Sequence, residues 1–355
     1  LVDGSGSFTL EGFKEAGKRS YPEIQEKDAI EALIKIKEYQ GSFEGEILKI
    51  TKIEGSEGQK IIERIEKEKR KKAQPPMKKF LVESEILEKL KDRFIKAATE
   101  IRLAIMDNRP IIVRHHNDVD GYSSGFALEK AIVPLVQKQH NSAKARWEFF
   151  TRAPCTAPFY EIDDSIRDSS LSLRNVAKFS NKMPLVVIAD NGSSEDDLLS
   201  IKQGKIHGMD FIVVDHHYFD EDVISSEVLS HINPFLVGES GSKYSAGMLC
   251  TELARFINPH VENIEQIPSM AGTADKTDNE EVMKQYLKLA EKEGYSKSLS
   301  RDIGIVVDFV SAKLRFMEAR EYIEVLFGEP REQQTELVKL MAPYIKNLEK
   351  KGLEI

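Results

Sequence analysis

The sequence predicts an α/β protein: a parallel sheet with crossover helices, preceded by a small β domain and followed by a helical segment. Three features carry that expectation. Between residues 81 and 245, apolar runs of strand length alternate with stretches of helical periodicity, the order that builds parallel strands joined by helices. Acids and histidines gather directly after those runs, where ligands collect at the carboxyl ends of strands in open α/β sheets. The first 55 residues alternate like strands, whereas from about residue 245 the pattern is helical to the end.

At the amino end, Ser7–Phe13, Ala29–Tyr39 and Phe43–Ile53 read as strands separated by Gly, Pro and Asp turn signals. They suit either an ordinary small β-sheet or the rear part of an OB-fold, a barrel often used to hold single strands. Residues 56–80 read as a charged linker. Lys60 to Lys79 holds nine Lys/Arg against three Glu, including the run Lys69-Arg70-Lys71-Lys72, and Pro75-Pro76 ends the run. That run is either a solvated helix or a contact to a phosphate backbone.

The main domain is expected over residues 81–295. Ile86, Leu87, Leu90, Phe94, Ala97 and Ile101 recur at intervals of three and four until Asn108-Arg109-Pro110 breaks the helix. A short apolar run follows at Pro110–Val113, then a helical stretch at Tyr122–Val136. Leu185–Ala189 reads as a buried strand, Glu195–Ile201 as a helix and Phe211–Val214 as a third strand. The segment Arg152–Asp168, with Pro154, Cys155 and Pro158, reads as an excursion beside the sheet. Residues 296–355 are expected to be helical, with Leu337, Leu340, Met341 and Tyr344 sharing one amphipathic face beyond Pro330.

A chain of 355 residues suits two or three domains, and a hydrophobic fraction of 41% excludes global disorder. The net charge of −8 does not by itself suggest a nucleic-acid partner, so any such contact must be local. The two cysteines, Cys155 and Cys250, form neither a zinc pattern nor a disulfide framework and point to a reducing, cytoplasmic compartment. No apolar run approaches the roughly 18–20 residues of a membrane span, so no membrane partner is expected. The opening Leu-Val-Asp-Gly-Ser-Gly is neither an initiator methionine nor a signal peptide, which leads us to expect a fragment.

Four polar clusters carry the chemistry. The first is Arg114-His115-His116-Asn117-Asp118-Val119-Asp120-Gly121. On an extended segment His116, Asp118 and Asp120 leave from one side and His115 from the other. One histidine and two carboxylates converging in this way suit Mn²⁺ or Mg²⁺, although an acidic turn capping the next helix is the plain alternative. The second cluster, Asp190-Asn191-Gly192, is a turn after a buried strand, typical of a metal position and equally of a helix cap. The third is Asp215-His216-His217. Three consecutive polar residues at a strand end cannot all be buried cheaply, which favours a functional reading. The fourth, Gly272-Thr273-Ala274-Asp275, places an acid at a helix end. Ser245-Ala246-Gly247 opens another helix, where backbone N–H groups could take a phosphate or Gly247 could serve close packing.

In this order and at these separations, Asp-x-Asp-Gly, Asp-Asn-Gly, Asp-His-His and Gly-Thr-x-Asp resemble the DHH phosphoesterases. The chain is most similar to archaeal RecJ-like exonucleases that place an OB-fold before the DHH domain, and Asp3-Gly4-Ser5-Gly6 and Lys14-Glu15-Ala16-Gly17 resemble parts of that OB-fold. The resemblance implies two divalent cations, Mn²⁺ first and Mg²⁺ as the alternative. By motif, His116 and Asp118 should hold the first ion, Asp120, His216 and Asp275 the second, and Asp190 both. His217 should face the scissile phosphate and Asp215 should orient a histidine, so that His217, Asp190 and Asp215 form the catalytic set. Ser245, Gly247 and the Lys69, Arg70, Lys71 and Lys72 run complete the expected substrate contacts. The sequence departs from the bacterial pattern, which has an acid at the position of His116. Other relatives carry a histidine one residue earlier, so His115 stays open as the ligand while parity favours His116.

The resemblance implies hydrolysis of single-stranded DNA or RNA, from the 5′ end, with GINS and other replisome proteins as further partners. Cleavage of short or cyclic dinucleotides and a non-catalytic replisome scaffold are the alternatives. Such nucleases follow the catalytic domain with a second, DHHA1-type domain bearing a Gly-Gly-x-His-type loop. No two glycines are adjacent here and no histidine follows His260, so residues 296–355 are expected to connect to such a domain outside the chain.

Overall fold

β-Branched residues favour extended backbone, and Ile111–Val113, Val186–Ile188 and Ile212–Val214 are built almost wholly from them. In the computed structural model each of these runs is a buried strand. The structure describes residues 3, 8, 10–15, 18–25, 27–39, 42–155, 157–176, 182–314, 316–328 and 331–352. Two compact units divide the chain, Leu1–Gln74 and Pro75–Ile355.

In the first unit the elements are β1 (Leu10–Glu11), β2 (Phe13–Glu15), β3 (Lys18–Arg19), β4 (Ile30–Tyr39), β5 (Ser42–Lys52) and α1 (Gly55–Ala73). β5 runs parallel to β1 and antiparallel to β4, forming a small mixed sheet, while β2 and β3 pair as a separate hairpin. The strand expected over Ser7–Phe13 is interrupted at Gly12, and Ser7, Gly4–Gly6, Ala16 and Gly17 lie outside the described residues. The stretch read as a linker is a 19-residue helix, α1, for most of its length. Lys69 is half-buried on it, and Arg70, Lys71 and Lys72 are exposed in its last turns, where cations complement the carboxyl end of the helix dipole.

The second unit begins with α2 (Glu85–Met106), capped by the Ser84 side chain. It continues through β6 (Ile111–His115), α3 (Val119–His140), α4 (Ala145–Phe149), β7 (Phe150–Pro154), α5 (Ile162–Val176), β8 (Leu185–Ala189), α6 (Glu195–Ile206), β9 (Asp210–Val214) and β10 (Ser230–Ile232). Helices α7 (Ala246–Ile257), α8 (Ile267–Ala274), α9 (Glu280–Lys292), α10 (Lys297–Lys313), α11 (Phe316–Leu326) and α12 (Arg331–Lys350) complete it. The five strands form a wholly parallel sheet in the order β10-β9-β8-β6-β7. Alternate residues divide between two cores: Ile111, Val113, Val187 and Ile212 face one, and Ile112, Val186, Ile188 and Val213 the other. From β6 the chain crosses to β7 on one side and later returns to β8 on the other. That reversal opens a crevice at the carboxyl ends of β6 and β8.

Two expectations need correction. The supposed excursion at 152–168 contributes the edge strand β7 and the start of α5. An arginine and a proline inside the strand hid it, and the last position of an edge strand tolerates proline. On α12 the docked face is Gln334, Val338, Ala342 and Ile345, flanked by Leu337 and Met341 of the expected stripe, while its other members Leu340 and Tyr344 are 74% and 60% exposed.

Candidate metal centre

The parallel register ends β6, β8 and β9 side by side, which brings the first three clusters into one crevice. After β6 the two histidines part. His115 is buried with Nδ1 2.6 Å from the carbonyl oxygen of His116, its ring edge-on to Tyr122 and beneath Gly125. Burial and the nearby Arg152 push its pKa down to about 3, so it stays neutral. His116 turns into the crevice, where Nδ1 lies 2.9 Å from Asp118 and 3.6 Å from Asp190. Those two acids hold its pKa at about 10. Asp118 also caps α3, accepting a hydrogen bond from the Gly121 amide at 2.9 Å, so it serves both readings of its cluster.

Asp190 occupies the centre. It adopts φ +62°, a left-handed conformation uncommon outside glycine, and Gly192 follows at φ +100°. Its amide donates to the carbonyl of Val214 at 2.9 Å, which pins the turn to β9. The carboxylate is buried, and among the described residues neither oxygen has a hydrogen-bond partner. His216 Nε2 lies 3.4 Å away, His116 Nδ1 3.6 Å and His217 Nδ1 3.9 Å. Burial, then Asp120 and Asp118, raise its pKa well above the usual carboxylate range.

Asp120, in the first turn of α3, receives the Ala246 and Gly247 amides at 2.7 and 2.8 Å. This corrects the expected phosphate site at Ser245 and Gly247. The amides at the start of α7 are taken by Asp120, and both residues are buried. Gly247 is needed for close packing instead, since a Cβ there would lie 2.6 Å from that of Ala271. His216 reaches Asp120 at 3.7 Å and Asp275, the residue capping α8, at 3.6 Å. Burial opposes a charge on His216, but Asp190, Asp120 and Asp275 outweigh it and hold its pKa at about 11. Burial and Asp120 raise Asp275 to about 6.

Asp215 lies behind the histidine pair. One of its oxygens accepts from His217 Nδ1 and from the His216 amide, each at 2.8 Å, and the other from the Ser193 amide at 3.2 Å. The ion pair with Asp215 raises half-exposed His217 to about 9.

Among the described residues three groups of potential ligands result: His116, Asp118 and Asp190; Asp120, His216 and Asp275; and Asp190, His216 and His217. Within each group the ligand atoms lie within 4.8 Å of one another. In the metal-free protein the protonated His116 and His216 face the buried Asp190, a place a divalent ion could take, and the mixed carboxylate and imidazole set fits divalent ions of hard to borderline character. The expected residues other than Ser245, Gly247, His115 and the Lys69–Lys72 run therefore share one crevice.

Sequence reasoning missed Asp308 and Ser193. Asp308, on α10, accepts the Val119 amide at 3.2 Å, and burial followed by Asp118 lifts its pKa to about 6. Its one signal was an acid amid the apolar stretch Ile303–Val310. Asn233, at the Asn-Pro step after β10, donates to Ser193 Oγ and to the His217 carbonyl at 3.0 Å each.

The sequence matches the model of the DHH family, N-terminal domain, over residues 110–290. The chain belongs to the DHH family. A solved DHH-domain structure described as a member of the s1p family of ribosomal proteins is 38% identical, with a TM-score of 0.77 over 84% of this DHH chain and 70% of that one. The uncharacterized protein MJ1198 of Methanocaldococcus jannaschii is 38% identical over 343 residues, 91% of this chain. The match covers 45% of that relative, so the DHH chain spans about half the length of the curated protein it resembles. A structure of exonuclease RecJ bound to manganese shares the fold at 14% identity, with a TM-score of 0.50 over 76% of this chain and 68% of that one.

Proposed function

We propose that this chain is a metal-dependent phosphodiesterase that shortens single-stranded DNA or RNA from the 5′ end, using two divalent ions, Mn²⁺ in preference to Mg²⁺. The observation that carries the proposal is Asp190, a buried acid whose oxygens make no close hydrogen bond among the described residues, ringed by His116, His216 and His217 and set between two further groups of acids and histidines. In this reading His116 and Asp118 hold one ion, Asp120, His216 and Asp275 the other, and Asp190 both. Two bound ions supply an acidified water and neutralise the charge of the phosphate.

The remaining residues orient and carry protons. Asp215 fixes the direction of His217 through Nδ1 and favours its protonated ring, which leaves Nε2–H of the half-exposed ring to donate to a phosphate oxygen. Net hydrolysis adds water across one P–O bond, leaving a phosphate monoester on one fragment and a hydroxyl on the other. Asp120, fixed by two amides of α7, and Asp118, capping α3, hold their oxygens without side-chain freedom, and such positioning supplies much of the rate in an assembled site.

The reading includes the Lys69–Lys72 run as a backbone contact, the first unit as an OB-fold-type grip, a cytoplasmic setting and association with GINS-type replisome proteins. Among the described residues no helix is long and apolar enough to cross a membrane. The test is digestion of single-stranded DNA and RNA labelled at either end, with Mn²⁺, Mg²⁺ or EDTA. Metal-dependent release of label first from the 5′ end is the expected result. Intact substrate with either metal would overturn the proposal.

A further inference from the structure

We propose that the groove beside edge strand β7 is a track for single-stranded nucleic acid, with Trp147 as a platform on which its bases stack. The proposal rests on the phosphodiesterase reading and locates the strand. The groove encloses about 970 Å³ and is bounded by β7, by α5 and by the junction of α10 and α11. Asn117, between His116 and Asp118 in the loop after β6 that supplies the metal centre, and Trp147, just before the start of β7, both line it, and the parallel register of the two strands sets them toward opposite ends. β7 runs parallel to β6 for five residues, about 16 Å of extended chain. A strand following it would therefore place about five stacked nucleotides, at roughly 3.4 Å each, between Trp147 and the metal centre.

The chemistry of the lining selects the occupant. Five lining side chains are cationic and two acidic, and further acids beside the groove pair with those cations. Arg114 and Arg152 are buried in pairs with Asp168 and Glu129, which leaves Arg167 and Lys182 as the more exposed cations, each also near an acid. Trp147 is 70% exposed, with the guanidinium groups of Arg146 and Arg320 5.1 and 5.9 Å from its ring centre. Helix α5 is turned inside out beside it. Asp164, Ser165, Asp168, Ser169 and Ser172 are buried, with Asp168 and Ser172 reaching the groove lining, whereas Leu171 lies exposed in the groove. An exposed aromatic ring beside two arginines, next to an apolar wall, matches the needs of unpaired bases.

Trp147 is the sole tryptophan, so its fluorescence reports on the groove directly. The whole chain is titrated with oligo-dT and oligo-U ten or more nucleotides long in EDTA, which prevents hydrolysis. Both should quench the emission. Measured by anisotropy of a labelled strand, Trp147→Ala should weaken binding by roughly tenfold, within the range of base–aromatic stacking, and Trp147→Phe should retain most of it. Arg167→Glu should flatten the dependence of log K on log salt by about 0.7 for a lost phosphate contact. Absence of quenching by both polymers, or equal affinity in Trp147→Ala, overturns the proposal and leaves the groove to another occupant, such as a polypeptide strand added to the edge of β7. Hydrolysis of a dinucleotide by the unmodified protein with Mn²⁺ is the separate check on the phosphodiesterase reading. Intact end-labelled single strands as well as intact dinucleotide sink that reading, while the quenching still decides the groove.

Discussion

At Asp190, position and charge oppose each other in the metal-free protein. The left-handed backbone and the bond to Val214 drive the carboxylate into a crevice with two other acids. We expect Asp190→Ala to lower hydrolysis to below a few per cent of wild type and to remove bound Mn²⁺, while the melting temperature in EDTA is unchanged or higher. Retained activity with normal metal content would rule out its shared role. The histidine pair should divide its labour. His216→Ala should lose metal and turnover together, whereas His217→Ala should lose turnover far more than metal, because its Nδ1 is tied to Asp215 rather than to the acids of the crevice. Equal metal loss in elemental analysis of both would contradict this.

The same residues set a dependence on pH. The folded pKa values of His116, His216 and His217, about 10, 11 and 9, exceed the value near 6.5 of an unfolded histidine. Their contribution to stability is therefore complete below about pH 6.5 and is lost as pH rises through the folded values. Metal-free protein should melt at progressively lower temperature from pH 7 to 9. Mg²⁺ affinity should rise over the same interval, because the imidazoles must release protons to become ligands. Melting curves with and without EDTA, and calorimetric titration in buffers of different protonation enthalpy, check both trends.

Among the elements, strands with two buried faces were easily recognised because their β-branched runs have no other use. β7 was not, because Arg152 is satisfied by Glu129 and Glu324, partners remote in sequence. α12 shows the opposite error. Only part of its apolar stripe docks, Leu337 and Met341 but not Leu340 and Tyr344, and Gln334 joins the docked face through a bond to the Leu326 carbonyl. Ile345→Ala should thus cost about 2–5 kcal/mol in urea denaturation, as for other buried Ile truncations. Leu340→Ala, on the exposed stripe, should stay within about 0.5 kcal/mol. The reverse order would restore the face suggested by periodicity.

For the whole molecule, the division at Gln74 assigns every proposed metal ligand to the second unit and the Lys69–Lys72 run to the first. Reversing that run to Glu should weaken binding of long single strands and flatten its salt dependence by about 0.7 per lost contact, while dinucleotide cleavage is spared. An unchanged slope in filter-binding assays would return the run to a solvated helix end.

The sequence by itself determined which residues could meet a cation. Apolar runs fixed where parallel strands end, and the order of strands and helices placed Asp118, Asp190 and Asp215 at one edge of a sheet. Parity separated His116 from His115, because successive side chains on an extended backbone take opposite sides. Only tertiary structure decided what each group does with its neighbours. The amides at Ala246 and Gly247, which locally look ready for phosphate, are consumed by Asp120 from a helix 126 residues earlier in the chain. Asp308 joins the crevice because α10 packs against the start of α3. Hydrogen bonds and charge act across space without regard to sequence separation, so a motif can name its residues and still leave their partners to the fold.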